Sequence, residues 1–356
     1  MSDQPRMKRN IRCLPMLALA GACLTLGLSI AFSGARAGEG MADTSQSQVR
    51  RLTESQYRTS IADLFGPDIK IAGRFEPDLR IDGLQAVGTS AVSVTPAGLE
   101  QYEQIARAIA AQVTDEAHRG RLVGCAPDAR DIGGAQCARH FIDRVGLRLY
   151  RRPLRASESQ WLVDSTLASA VTLKDFHAAL AATLTGMLTS PDFLFRVDRP
   201  ASSGRTIDPW SAATRLSFLL WNAPPDDALL ADAAGGQLDT AEGRAKVVDR
   251  MMASPRFAHG VQAFFSDYLQ LDGMDELAKD TLLYPAFTPS VASAAKEQTL
   301  RTISWLLVDR KGDYRDLFTT PFIAMNRTLG PIYDVPVARP EWYMHEFPRA
   351  MRAPDC

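Results

Sequence analysis

The stretch from Asp208 to Gly236 constrains this chain more than any other, because two prolines in succession divide it into two helical signals. Asp208 is a good N-cap with Pro209 at the first helical position, and Ala213, Leu216, Leu220, Phe218 and Trp221 give a broad apolar face at helical spacing. Pro224 and Pro225 stop that helix. Pro225 is then expected to open the next one, with Asp226 and Asp227 in its first turn and Gly235 as a left-handed C-terminal cap. A segment so dense in caps and breakers fixes local geometry and carries little chemistry.

The rest of the chain repeats that style. Thr53 with Gln56 forms a capping box, Leu52 with Tyr57 a hydrophobic staple, and Tyr57, Ile61, Leu64 and Phe65 line one face until Gly66-Pro67. Residues 69–94 read as a long loop with one short strand at most. Thr95-Pro96 opens a helix with Leu99, Tyr102, Ala106, Ile109 and Val113 on its packed face, and Cys137, Phe141, Val145 and Leu149 carry another. Arg151-Arg152-Pro153 ends it, with the arginines expected to satisfy the last carbonyls; an anion site is the alternative. Trp161 to Ala170, then Phe176, Leu180, Leu184 and Met187, make two more helices. Beyond Gly236, a helix capped by Asp239 or Thr240 runs to Met252, a second bears Val261, Phe264, Phe265, Tyr268 and Leu269, and a third spans Pro289 to Asp309.

The fold class expected is all-α: irregular multi-helix bundle units joined by long loops. The units are residues 49–115, 116–198 and 207–335, with a linker rich in Pro, Ser and Gly from Arg199 to Thr206 and an irregular tail at 336–356.

The N-terminus carries an export signal. Lys8, Arg9 and Arg12 precede an apolar run from Leu14 to Phe32, and Ala35-Arg36-Ala37 offers small residues for cleavage, which makes 1–37 a signal peptide and 38–48 a polar tether. Left uncleaved, the run is long enough to anchor the protein in the inner membrane. Cys23 follows Ala20-Gly21-Ala22, close to a lipoprotein box that lacks its large aliphatic residue. The expected location is periplasmic or extracellular, with membrane contact limited to that segment.

Cleavage would leave Cys125, Cys137 and Cys356. In an exported protein, Cys125 and Cys137 flanking a short loop rich in Pro, Gly and Asp read as a disulfide rather than as free thiols.

Chemical signals are sparse. Forty basic against 41 acidic residues give a net charge of -1, which disfavours nucleic acid as a partner. No phosphate-binding loop or dinucleotide fingerprint occurs, and Gly88-Thr89-Ser90-Ala91-Val92 is half of a nucleophile elbow without its second glycine. His118, His140, His177, His259 and His345 never fall four apart, so no zinc-helix signature exists. Cys137 and His140 with Cys125 can be written as a partial metal site, but a disulfide beside a solvated histidine accounts for them better. Asp226-Asp227 suits a helix N-terminus better than a catalytic pair. Asn326-Arg327-Thr328 matches a glycosylation sequon. No catalytic, cofactor-binding or metal residue emerges.

Four stretches taken together resemble a known family. They are Arg51-Leu52-Thr53-Glu54-Ser55-Gln56-Tyr57-Arg58; Cys137-Ala138-Arg139 running into Tyr150-Arg151-Arg152-Pro153-Leu154; Ser190-Pro191-Asp192-Phe193-Leu194-Phe195-Arg196; and Arg215-Leu216-Ser217-Phe218-Leu219-Leu220-Trp221 with Pro225-Asp226-Asp227. In this order they are similar to exported proteins abundant in planctomycetes, built of consecutive domains of unknown function and often associated with cytochrome c modules. Asn326, Leu329 and Tyr333 keep a further signature. Gly330, Asp334 and Arg155 depart from the family pattern, where alanine, glycine and a capping threonine are usual. The family generally continues into a region with a Cys-x-x-Cys-His haem motif, which these 356 residues lack.

The resemblance implies a helical binding or scaffold module linked to a periplasmic redox system, with an unidentified protein, a cytochrome c for instance, as partner. It implies no cofactor in this chain, and haem c only with a C-terminal extension. The alternative is a truncated member of a haem-dependent oxidoreductase or polymer-degrading family.

Overall fold

The computed structural model describes residues 49–91, 93–127, 134–201, 207–280 and 282–348. The signal peptide 1–37, the tether 38–48, the centre of the cysteine loop, most of the Pro/Ser/Gly linker, Cys356 and the last residues of the tail lie outside the described residues.

The chain is mostly α-helical. Strand β1 (Val49–Arg51) leads into α1 (Glu54–Phe65), where Thr53 and Gln56 form the full capping box and Gly66 closes the helix at φ +95°. The segment that reads as a loop contains a short helix, α2 (Gln85–Gly88), after a bridge between Ile81 and Leu84. Then come α3 (Pro96–Thr114), capped by Thr95, α4 (Arg119–Leu122), α5 (Ala135–Leu149), α6 (Ala156–Leu173), α7 (Phe176–Thr189) and α8 (Pro191–Leu194). Strand β2 (Phe195–Val197) returns antiparallel to β1, with Arg51 opposite Phe195.

Helix α3 packs on α7, and α7 on α6. Residues from Leu52 to Leu194 share one core, in which Ile61, Ile109, Phe141, Val145, Leu180 and Leu184 have no exposed surface. Leu99 stands outside it at 48% exposure, and Ile105 takes the buried position on that face. A helical stripe shows which way a helix is amphipathic, and the edge of the stripe is where that reading fails.

The second half begins with α9 (Pro209–Leu220), capped by Asp208, and α10 (Asp227–Ala234). Two local expectations are corrected here. Pro225 precedes the helix rather than opening it, because the Asp226 carboxylate accepts the Leu229 N–H and is itself the N-cap. The left-handed residue is Gly236, at φ +73°, while Gly235 sits at φ −83° and still donates to Ala231. Next follow α11 (Ala241–Met252), capped by Thr240, and α12 (Arg256–Tyr268). Trp221, Ala213, Leu229, Val247 and Met251 close a second core, and the Trp221 indole N–H donates to the Met251 carbonyl at 2.9 Å.

Helix α13 (Pro289–Ser304) widens at its end into a π-helical turn over Trp305–Asp309. The proline-rich tail is more ordered than its sequence suggests: β3 (Phe322–Met325) pairs with β4 (Tyr343–Glu346), and α14 (Gly330–Tyr333) lies between them. A third core of Val291, Ala294, Met325 and Leu329 joins this hairpin to α13. Among the described residues, no helix is long and apolar enough to cross a membrane.

Candidate functional site

Cys125 and Cys137 are joined in a disulfide, with Cα atoms 5.6 Å apart. It ties the approach to α5 to the first turn of that helix, and Cys137 is packed into the first core. His140, one turn on, is exposed.

The other residues singled out by sequence do not converge. His118 pairs with Asp115 at 2.8 Å, the His177 ring abuts Phe176, and His345 stands edge-on to Phe347. Burial, then the nearby Arg119, lowers the pKa of His177. Gly88 ends α2 against the Leu79 carbonyl, with no strand before it of the kind a nucleophile elbow needs. Among the described residues, no group of three histidine, cysteine or acidic side chains is placed to hold a metal. Cys125 and Cys137 are bonded to each other, so neither offers a free thiol for a thioether bond or a metal.

Arginines organise the polar interior, and here sequence reasoning is corrected. Arg151 does not cap its own helix. It sits at φ +57°, 3% exposed, and donates to the carbonyls of Asp192 and Phe195 at 2.7 Å each and of Phe193 at 3.3 Å. Burial first, then repulsion from Arg196, Arg199 and Arg152, pushes its pKa down to about 9. Arg152 turns the other way, forking onto Glu158 at 2.9 and 3.0 Å. That fork, then the Arg155 backbone N–H, pulls the Glu158 carboxyl down to about 2.

Arg51 is the counterpart in the first unit. It is 1% exposed, reaches Glu76 at 2.8 Å and Asp78 at 3.1 Å, and donates to the Pro77 carbonyl. It thereby pins the irregular stretch before α3 onto the core. Buried arginines of this kind have no periodic signature. The available hint was their place inside the stretches that carry the family resemblance.

Two concave features result. The first is a cleft of about 560 Å³ lined by Arg152, Arg155, Arg199, Asp192 and Trp210. The second, about 210 Å³, lies under the double-proline turn, with Ser60, Asp63, Arg148, Pro225, Asp226 and Arg256 in its walls. Arg256 pairs with Asp63 and stacks over Trp221 with 4.9 Å to the ring centroid, while Arg148 pairs with Asp227. Both arginines are matched by carboxylates, and the Ser60 hydroxyl donates to the Gln56 carbonyl. The arrangement locks elements of all three helical units together.

Three family models match in tandem: PSD3, described as a protein of unknown function (DUF1587), over residues 50–115; PSD5, a protein of unknown function (DUF1595), over 137–198; and PSD4, a protein of unknown function (DUF1592), over 207–335. No curated protein and no solved structure matches the chain. Each of the three matched stretches supplies a wall of the smaller cavity: Asp63 from the first, Arg148 from the second, Asp226 and Arg256 from the third. The chain thus belongs to the planctomycete-type proteins that carry PSD3, PSD5 and PSD4 domains of unknown function in tandem.

Proposed function

We propose that this protein is an exported helical module that binds and positions a protein partner, a c-type cytochrome being the partner to which the family resemblance points. The observation that carries this reading is on α12. Phe264 and Tyr268 stack one turn apart, with centroids 5.9 Å apart and planes within 7°, yet stand 58% and 60% exposed. Two aromatic rings fixed on a helix and left in solvent are the usual makings of an interface anchor.

Their surroundings favour a partner with a basic rim. Between residues 262 and 284 there are five acidic residues against one lysine, offset in part by Arg80 on Asp267 and Lys296 on Asp272 and Asp275. An acidic rim around an apolar centre selects the opposite arrangement on the partner and speeds encounter. The disulfide and the apolar N-terminal run support export.

The test is calorimetric titration of the full chain with the c-type cytochrome of the same cell, at low and high salt. Binding that weakens with salt and is lost in a Phe264→Ser/Tyr268→Ser variant is the expected result. Absence of binding at low salt, or an unaffected variant, overturns the partner. Recovery of the native protein from the cytoplasm with its N-terminus intact overturns export.

A further inference from the structure

The larger cleft has an unusual balance of charge. Along it Arg155 donates to Glu158 at 2.5 Å, Arg152 forks onto the same carboxylate, and Arg152 also reaches Asp192 Oδ1 at 3.3 Å. Arg199 pairs with that same oxygen. Three guanidiniums, those of Arg152, Arg155 and Arg199, thus face two carboxylates, an excess of one positive charge, with Arg151 buried behind the Asp192 backbone. Arg199 is 37% and Arg155 75% exposed, so both can turn to a ligand while the fork between Arg152 and Glu158 stays intact.

The cleft is also larger than a simple anion needs. Its volume of about 560 Å³ falls in the range of small-molecule sites, and half-buried Trp210 puts an indole in its wall. Sulfate or phosphate would engage the guanidiniums alone. A ligand that uses every wall has a carboxylate for the arginine edges, a flat apolar face for the indole and hydroxyls to donate to Asp192.

We propose that this cleft between the α5–α6 turn and the start of α9 binds a carboxylate-bearing saccharide, with its ring on Trp210 and its carboxylate at Arg199 and Arg155. The site is independent of the aromatic face on α12 and of any partner docked there.

Calorimetric titration of the full chain with trigalacturonate, maltotriose and sodium sulfate at matched ionic strength tests it. Trigalacturonate should bind, and neutral maltotriose and sulfate each about tenfold more weakly or worse. Arg199→Gln and Trp210→Ala should each weaken trigalacturonate about tenfold, and rim variant Arg155→Gln about threefold. Arg155→Gln keeps the test decisive if Trp210→Ala fails to fold, which thermal melts will show. Undetectable trigalacturonate binding, sulfate binding as tight as trigalacturonate, or equal affinity for maltotriose would each overturn the proposal.

Discussion

Gln56 Nε2 donates to Asn222 Oδ1 at 2.8 Å, joining residues 166 positions apart. The same side chain accepts the Thr53 N–H through Oε1, so one buried amide both caps α1 and holds the turn between α9 and α10. Asn222 is at φ +51° and donates in turn to Ser55 Oγ at 3.4 Å. Gln56→Leu removes the reciprocal half of the capping box and leaves the Asn222 carbonyl short of a donor, for an expected loss of ~1–3 kcal/mol by urea denaturation. Asn222→Gly keeps the left-handed backbone and should cost less than Asn222→Val, which cannot adopt it without strain. Equal costs for the two would show that the backbone there is not a constraint.

Gly260 shows how closely α12 approaches the end of α9. A Cβ at this position would fall inside van der Waals contact of the Leu220 carbonyl and of the Trp221 nitrogen. Backbone cannot retreat as a flexible side chain can, so Gly260→Ala should cost ~1–3 kcal/mol or more through overpacking. Gly186 on α7 is the control, since nothing lies within 4 Å of its would-be Cβ. There alanine should stabilise by up to ~1 kcal/mol through helix propensity. Thermal melts of the two variants should move in opposite directions.

The contrast between the two glycines also marks what could be read from the sequence. Caps at Thr53, Thr95, Asp208 and Thr240 were legible because donor and acceptor lie within three residues of each other. The pairing of Val49–Arg51 with Phe195–Val197 was not, because three residues cannot display an alternation and their partner is far away in the chain. Phe264 and Tyr268 fall at helical spacing yet stand in solvent; periodicity identifies a face but not what covers it. Arg151 followed the same logic in reverse. Its place after a helix suggested a cap, whereas its carbonyl partners come from α8 and β2, some forty residues later. The cleft and the domain junction are products of such distant pairings, so neither has a local signature.

Glu158 gives the protein a component of acid sensitivity whose sign follows from its partners. Its carboxyl is held down to about 2, first by the Arg152 fork, against 4.5 for an ordinary glutamate. The unfolded chain therefore takes up its proton first as pH falls. The stabilisation is complete above pH ~4.5 and is lost progressively towards pH ~2. Allowing for solvent screening, it is worth on the order of 1–2 kcal/mol. Asp78 works in the opposite direction, because burial raises its pKa above the ordinary 3.8 despite the Arg51 hydrogen bond, so it favours the folded state at the acid end. The whole-protein curve sums such terms. The difference between wild type and Glu158→Gln isolates one: it should be constant above pH ~5 and shrink below it, as urea denaturation across that range will show.

Cys125 and Cys137 close a short loop, and a link of that span stabilises by ~3 kcal/mol, chiefly by restricting the unfolded chain. Cys125→Ser/Cys137→Ser should lower stability by about that amount, and reductant should do the same to wild type while leaving the variant unchanged. Without reductant, neither thiol should label in the folded protein; ready labelling of both would sink the assignment. The effect should reach beyond the loop, because Cys137 is 4% exposed and packs in the core that α1, α3 and α5 share. Just before it, Gly134 is at φ +82° with Phe176 and Pro127 against the position of its absent side chain, so the entry to α5 is fixed by close packing as well as by the covalent bond. Hydrogen exchange should therefore quicken most in the first turn of α5 when the bond is cut, and least in α7, whose contacts with α3 and α6 do not depend on it.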